Sequence, residues 1–157
     1  MQNLDFRVCY GEFPVSVTDN GLDLGFAVTD SKDLKKALSG CKSAILFAAS
    51  VGLLPDRLAA KYNRISPSKA LIVSAVGSER VEALCDAFCR DTDKKLVEKG
   101  LKLRPRFSAG YGDLPLSLQT DIFKALDCTK KLGITLCDSL LMIPEKSVTA
   151  IAGITEK

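Results

Sequence analysis

Histidine is absent from this 157-residue chain, and so is tryptophan. Without histidine, no ordinary side chain changes charge near neutral pH, and the commonest metal ligand is missing. Ser-His-Asp, Cys-His and HExxH arrangements are excluded together. The six cysteines (Cys9, Cys41, Cys85, Cys89, Cys128 and Cys137) contain no CxxC pair. That spacing suits neither a structural zinc site nor a small disulfide scaffold, so the thiols are expected to be free and mostly buried. Charge of one sign is also scarce. Against 22 basic residues stand 19 acidic ones, a net charge of +3, and the two are interleaved. Backbone recognition of nucleic acid needs a concentrated basic field, so no nucleic-acid partner is expected. The longest apolar stretch, 44–54, is too short to span a bilayer as a helix, and Asp5 and Glu12 interrupt any leader-like pattern. A cytoplasmic protein without a membrane role is expected.

What is present is ordinary globular composition, 46% hydrophobic and 26% charged, in a chain of the usual size for one domain, 1–157. Extended runs are predicted at 4–10 and 13–18, punctuated by Gly11 and Pro14, and at 24–29 after an Asp19-Asn20-Gly21 turn. Ser31 is placed to cap a short helix over 32–39, closed by Gly40. The continuous apolar run 43–50, bounded by Gly52 and Pro55, predicts a buried strand. Pro55 and Asp56 suit the first turn of a helix to about residue 62. From Ser66-Pro67 to Glu98 a single long helix is predicted. Its inner stripe is Ala70, Ser74, Gly77, Val81, Leu84, Cys85 and Phe88, small at the first end for close approach and large at the second. A loop over 103–115, a helix over 118–126 capped by Ser117, and a further turn from Asp127 to Gly133 follow. Runs at 136–143 and 147–154, joined by Pro144-Glu145-Lys146, predict a hairpin. Strands at both ends with helices between predict an α+β fold: a mainly antiparallel twisted sheet packed with helices, one of them long and central.

The most function-like segment is the loop from Arg106. Two glycines, Gly110 and Gly112, flank Tyr111, allowing close backbone approach to a ligand, and the arginine offers a planar fork for a carboxylate or phosphate. Its wording adds more. RFSAGYGDLPLSLQ resembles the S-adenosylmethionine-binding segment of the reactivation (activation) domain of cobalamin-dependent methionine synthase. That family's Arg-x-x-x-Gly-Tyr motif is matched by Arg106, Gly110 and Tyr111. The run from Ile122 to Ile154 is similar to the family's C-terminal portion at Gly133, Leu136, Ser139, Met142, Pro144, Ser147 and Val148. Val51-Gly52 and the segment 77–82 fit as well, so the resemblance covers about 24–154.

The resemblance implies that Arg106 holds the carboxylate of S-adenosylmethionine. It implies that residues 107–113, with Ser108, Ala109, Gly110, Tyr111 and Gly112, place the adenosyl part. Ala109 stands where the family usually has proline, which leaves the loop less stiff. For the acid that holds the ligand's amino group in larger members, Asp5, Glu12 and Asp19 are candidates. A tyrosine that touches the ligand follows the last strand in those members. The implied role is accessory rather than independently catalytic: support of reductive methylation of cob(II)alamin. The cobalamin would be held by a separate cobalamin-binding methyltransferase subunit, and an external donor such as a flavodoxin or ferredoxin would supply the electron. The alternative is a non-catalytic ligand-binding or protein-interaction module on the same fold.

Overall fold

The computed structural model describes residues 3–157. In chain order the elements are β1 (Arg7–Pro14), β2 (Ser16–Thr18), β3 (Gly21–Asp23), β4 (Val28–Thr29), α1 (Lys32–Ala37), β5 (Ser43–Ser50) and α2 (Leu54–Ile65). There follow α3 (Pro67–Val97), β6 (Leu101–Leu103), α4 (Leu118–Leu126), α5 (Cys128–Leu132), β7 (Thr135–Leu136), β8 (Met142–Ile143) and β9 (Ser147–Glu156). The main sheet has the order β1-β5-β9-β6, and its neighbours all run antiparallel. Two small antiparallel sheets, β2-β3-β4 and β7-β8, lie outside it. The fold is α+β, as the element pattern predicts.

Strand β5 explains its own sequence. Ala44, Leu46 and Ala48 belong to a core shared with α1, α4 and α5, while Ile45, Phe47 and Ala49 belong to one shared with α3. A strand covered on both faces has no polar side to show, hence the continuous apolar run. Phe47 is fully buried and stacks at 4.6 Å on Phe88 of α3, which also meets Tyr10 at 5.4 Å. Truncating such a ring to alanine costs about 3–5 kcal/mol.

Helix α3 runs 31 residues without a break at Gly77. Its stripe buries Ala70, Gly77, Val81 and Cys85. A Cβ added at Gly77 would lie 3.0 Å from both Pro55 Cβ and Lys146 Cγ, so the small end of the stripe admits α2 and the 144–146 turn. The large end, Leu84 and Phe88, fills the wider gap over the sheet. All six cysteines are free thiols; Cys9, Cys41, Cys85 and Cys128 are buried, Cys89 and Cys137 half-buried. Burial pushes the Cys85 thiol up to about 12, so it packs as a small neutral side chain. No helix among the described residues is long and apolar enough to cross a membrane.

Several local expectations are corrected. β1 runs through Gly11 and ends at Pro14, instead of breaking into 4–10 and 13–18. It is an edge strand, and a proline at the end of an edge removes no interior ladder bond. The run 24–29 is strand only at Val28–Thr29. Gly25 takes a positive φ, its amide bonds Asp23 Oδ1 at 2.8 Å, and the chain turns there. Helix α2 continues past 62 to Ile65, where Ser66 ends it and α3 begins at once. Ser117 and Asp127 make no side-chain cap. Ser117 is already helical, because the turn begins at Pro115, and Asp127 is left-handed between two helices.

The largest correction concerns the predicted 136–154 hairpin, which does not form. β9 pairs with β5 over its length and with β6 at its end, while β8 turns back onto β7 through Leu140 at positive φ. Burial decides this. β9 is as apolar as β5 and needs the sheet centre, where both its faces are covered; the 136–143 segment remains partly exposed.

Candidate functional site

The segment after β6 stays beside β9 without regular pairing. Arg104 N–H donates to Gly153 O at 2.8 Å, and Phe107 exchanges two 2.8 Å backbone bonds with Ile151. Past Phe107 the chain leaves the sheet. The first residues of β9, Ser147–Thr149, are left as a wall, and a cavity of about 540 Å³ opens there. That lies within the range of roughly 300–1,000 Å³ typical of small-molecule sites.

Arg106 enters this cavity from the loop, with its side chain 22% exposed. Its two terminal nitrogens meet two acids of α3: Nη1 donates to Asp86 at 2.5 Å and Nη2 to Glu82. Glu82 and Asp86 are four apart and share one helix face, which suits the fork of a guanidinium. Partial burial opposes the charge on Arg106, but the hydrogen bond to Asp86 and the field of the acids outweigh it and hold its pKa above the usual value. Two of its five N–H donors are used by these acids.

The loop's other end is tied to α1. Asp113 accepts from the Ser31 hydroxyl, from Lys32 N–H at 2.7 Å and from Asp33 N–H at 3.2 Å; Asp33 Oδ2 accepts from Asp113 N–H at 3.1 Å. Ser31 Oγ caps Leu34 N–H at 3.1 Å, as the sequence predicts. These donors, the Ser31 hydroxyl first, hold the Asp113 carboxyl below the usual carboxylate range. Gly112 is required by this clamp: its φ is +54°, and a Cβ there would overlap Asp33 Oδ2. Gly110, at φ +91°, bonds Leu114 O at 2.9 Å and lies against Leu116.

Of the residues singled out from sequence, Arg106, Ser108, Ala109 and Tyr111 line the cavity together; Gly110 and Gly112 shape the loop behind the wall. Tyr111 is 69% exposed, at the rim. Asp5, Glu12 and Asp19 do not line the cavity. Asp5 pairs with Arg7 at 2.8 Å beside a separate, smaller pocket. The acids on the wall are Glu82 and Glu145. Gln119, buried in α4, accepts from Thr149 Oγ1 at 2.6 Å and closes the base, while Leu140, Leu141 and Met142 supply an apolar side. Glu82, Gln119 and Glu145 were not foreseen as lining residues; the i, i+4 spacing of Glu82 and Asp86 is a signal in the sequence that could have pointed to a receptor for Arg106.

An arginine, a carboxylate and an apolar wall meet around one cavity. The chain is similar to the crystal structure of the MetH reactivation domain bound to AdoHcy, with a TM-score of 0.70 at 17% identity, over 96% of this chain and 58% of that one. The fold is that of the MetH reactivation domain. The chain thus spans a little over half the length of the reactivation domain it matches. No family model matches it, and no curated protein does. On the reactivation-domain fold, the cavity beside Arg106 joins residues from α3, the 106–111 loop, α4 and β9, elements distant in sequence.

Proposed function

We propose that the protein binds S-adenosylmethionine in the cavity beside Arg106 and supports reductive methylation of cob(II)alamin held by a separate cobalamin-binding methyltransferase subunit. The observation that carries this reading is the Arg106 loop forming the wall of a ligand-sized cavity, on a fold whose solved counterpart is bound to AdoHcy. Arg106, oriented by Glu82 and Asp86, is the cation for the ligand's carboxylate. Such a pair fixes orientation as well as adding energy. Glu82, on the same wall, is an acceptor for the ammonium group. Leu140, Leu141, Met142 and Tyr111 offer apolar surface to the adenosyl part. When bound, S-adenosylmethionine would supply an electrophilic methyl group, and an external donor such as a flavodoxin or ferredoxin the electron. The chain's own contribution is to place the ligand and keep water from it.

Exposed Tyr111 and Leu141 at the rim, 69% and 62% exposed, suit contact with the face of a corrinoid carried by a partner. The second reading, a module that keeps the fold without the chemistry, is favoured by one observation: Arg106 is already engaged by two acids. Calorimetric titration with S-adenosylmethionine separates the two. Saturable binding is expected, with Arg106→Ala losing about 2–4 kcal/mol of affinity. No binding at millimolar ligand would rule out the site. Methylcobalamin formation in a mixture of this protein, a cob(II)alamin-loaded methyltransferase, a low-potential reductant and S-adenosylmethionine tests the role. Formation at the same rate without the protein favours the module.

A further inference from the structure

Helix α3 is packed on one side and bare on the other. Ala70, Gly77, Val81 and Cys85 are buried, and the stripe opposite them is not. Ser68, Ile72, Ala75, Val76, Glu79 and Ala83 recur at the three-four spacing of one helix face, and all are exposed. Ile72 is 63% exposed; beside it Leu71 is 73% exposed, and Ile65, at the end of α2, 70%. Single apolar residues on a surface need no explanation, but large aliphatic side chains gathered along one helix face mark a contact.

The charges along this face point to its partner. Lys69 stands near one end and Glu79 near the other, about 15 Å apart along the axis. Lys69 is set toward α2, its Nζ 5.9 Å from the centre of the Tyr62 ring. Glu79 is met by Arg80 at 2.6 Å, in a pair exposed on both sides that yields readily to another base. One base and one acid at opposite ends of an apolar stripe do not suit a partner of a single charge sign. They suit the same stripe turned end for end. With two such helices antiparallel about the level of Ser74, Ile72 meets Val76 of the second copy and Lys69 meets its Glu79, and symmetry repeats both contacts. Beyond Ala83 the face changes character, because Asp86 is engaged by Arg106.

We propose that the exposed face of α3 is a self-docking surface, through which two copies of this chain form a weak antiparallel dimer. The proposal is independent of the ligand reading. One helix face of about four turns offers less than the roughly 1,600 Å² of a standard stable interface, so the dimer is transient. Ile72 and its symmetry mate, buried at the centre, supply the anchor. The two Lys69–Glu79 contacts set direction and register more than strength. A parallel pairing would place Lys69 against Lys69 and Glu79 against Glu79, so charge specifies the antiparallel one, as it does between helices of a coiled coil.

Sedimentation velocity over a series from about 1 to about 500 micromolar protein tests this, spanning the affinities of a transient dimer. The wild type is expected to rise from monomer toward dimer mass. Ile72→Glu is expected to weaken association more than about tenfold. Its melting temperature should match the wild type, because the side chain is exposed. Lys69→Glu and Glu79→Lys are each expected to weaken association about three- to tenfold at low salt, since each sets like charges together twice. Mixing these two single variants is expected to restore it, as is combining both changes in one chain. Damage to the monomer fold would not be repaired by mixing. A wild type that stays monomeric throughout overturns the proposal, and retention of that monomer on anionic-lipid vesicles would assign the face to another occupant. Association that persists in Ile72→Glu overturns the proposed face, and single charge variants that associate as tightly as the wild type overturn the antiparallel register.

Discussion

The two ends of the loop from Arg106 to Asp113 are fastened in different ways. At one end Arg106 reaches two acids of α3 whose side chains are 55% and 61% exposed. Ion pairs this wet are worth roughly 0.2–1 kcal/mol each, and they exchange partners easily. At the other end Asp113 and Asp33 trade backbone hydrogen bonds across α1, and Gly112 fits only because it has no side chain. Fixed backbone donors and tight sterics hold that end in one arrangement. The difference separates two behaviours within eight residues: the Gly112–Asp113 end sets the position of the loop, and the Arg106 end is left free to change partners.

The contrast can be broken most severely at Gly112. Gly112→Ala is expected to lose about 2–4 kcal/mol of stability, because the new Cβ meets Asp33 and the backbone must leave a positive φ. Urea denaturation reads this as a lower midpoint. A loss below 0.5 kcal/mol, by the ordinary scale of surface substitutions at about ±0.5 kcal/mol, would mean that the clamp is loose. Arg106→Ala sharpens the comparison from the other side. It is expected to change stability by less than about 1 kcal/mol while removing most ligand affinity, so stability and binding should part company at this residue.

The smallest effect is on pH. Asp113 is held below its unfolded value of 3.8 by the Ser31 hydroxyl and the α1 amides, so its contribution is fully present above that value. It is lost as pH falls through the lower folded value. The stability gap between wild type and Asp113→Asn should therefore be constant near neutrality and narrow only in acid below about pH 4. A gap that is flat down to pH 2, measured by denaturant titration across that range, would count against the clamp.

What could be foreseen divides along similar lines. The limits of β5, the unbroken α3 and the Ser31 cap follow from local pattern: a run with no polar face, a stripe at helical spacing, a hydroxyl three residues before an amide. The predicted hairpin at 136–154 failed because neighbours in sequence are the default partners of strands, whereas β9 finds its partners in β5 and β6. The site shows the same limit. The Arg106 loop was visible as a segment, but Glu82, Gln119 and Glu145 reach the cavity from three separate elements. No spacing rule connects Thr149 with Gln119, though their side chains hydrogen-bond in the interior.

The Asp113 clamp also bears on the order in which the chain acquires structure. Helix α1 has six residues, too few to persist alone, and the acceptor for its Lys32 amide lies 81 residues further along. During synthesis just over half the length of the protein must follow before that acceptor exists. Helix α1 is therefore expected to be a late element, completed in the same step that settles the loop, while β5 and α3 gather the first core. Contacts that close so long a span are formed at an entropic cost that early, local structure does not meet. Pulse-labelled hydrogen exchange during refolding should find the Lys32 and Asp113 amides protected together and after those of α3; early protection at Lys32 alone would show that α1 forms without its distant cap.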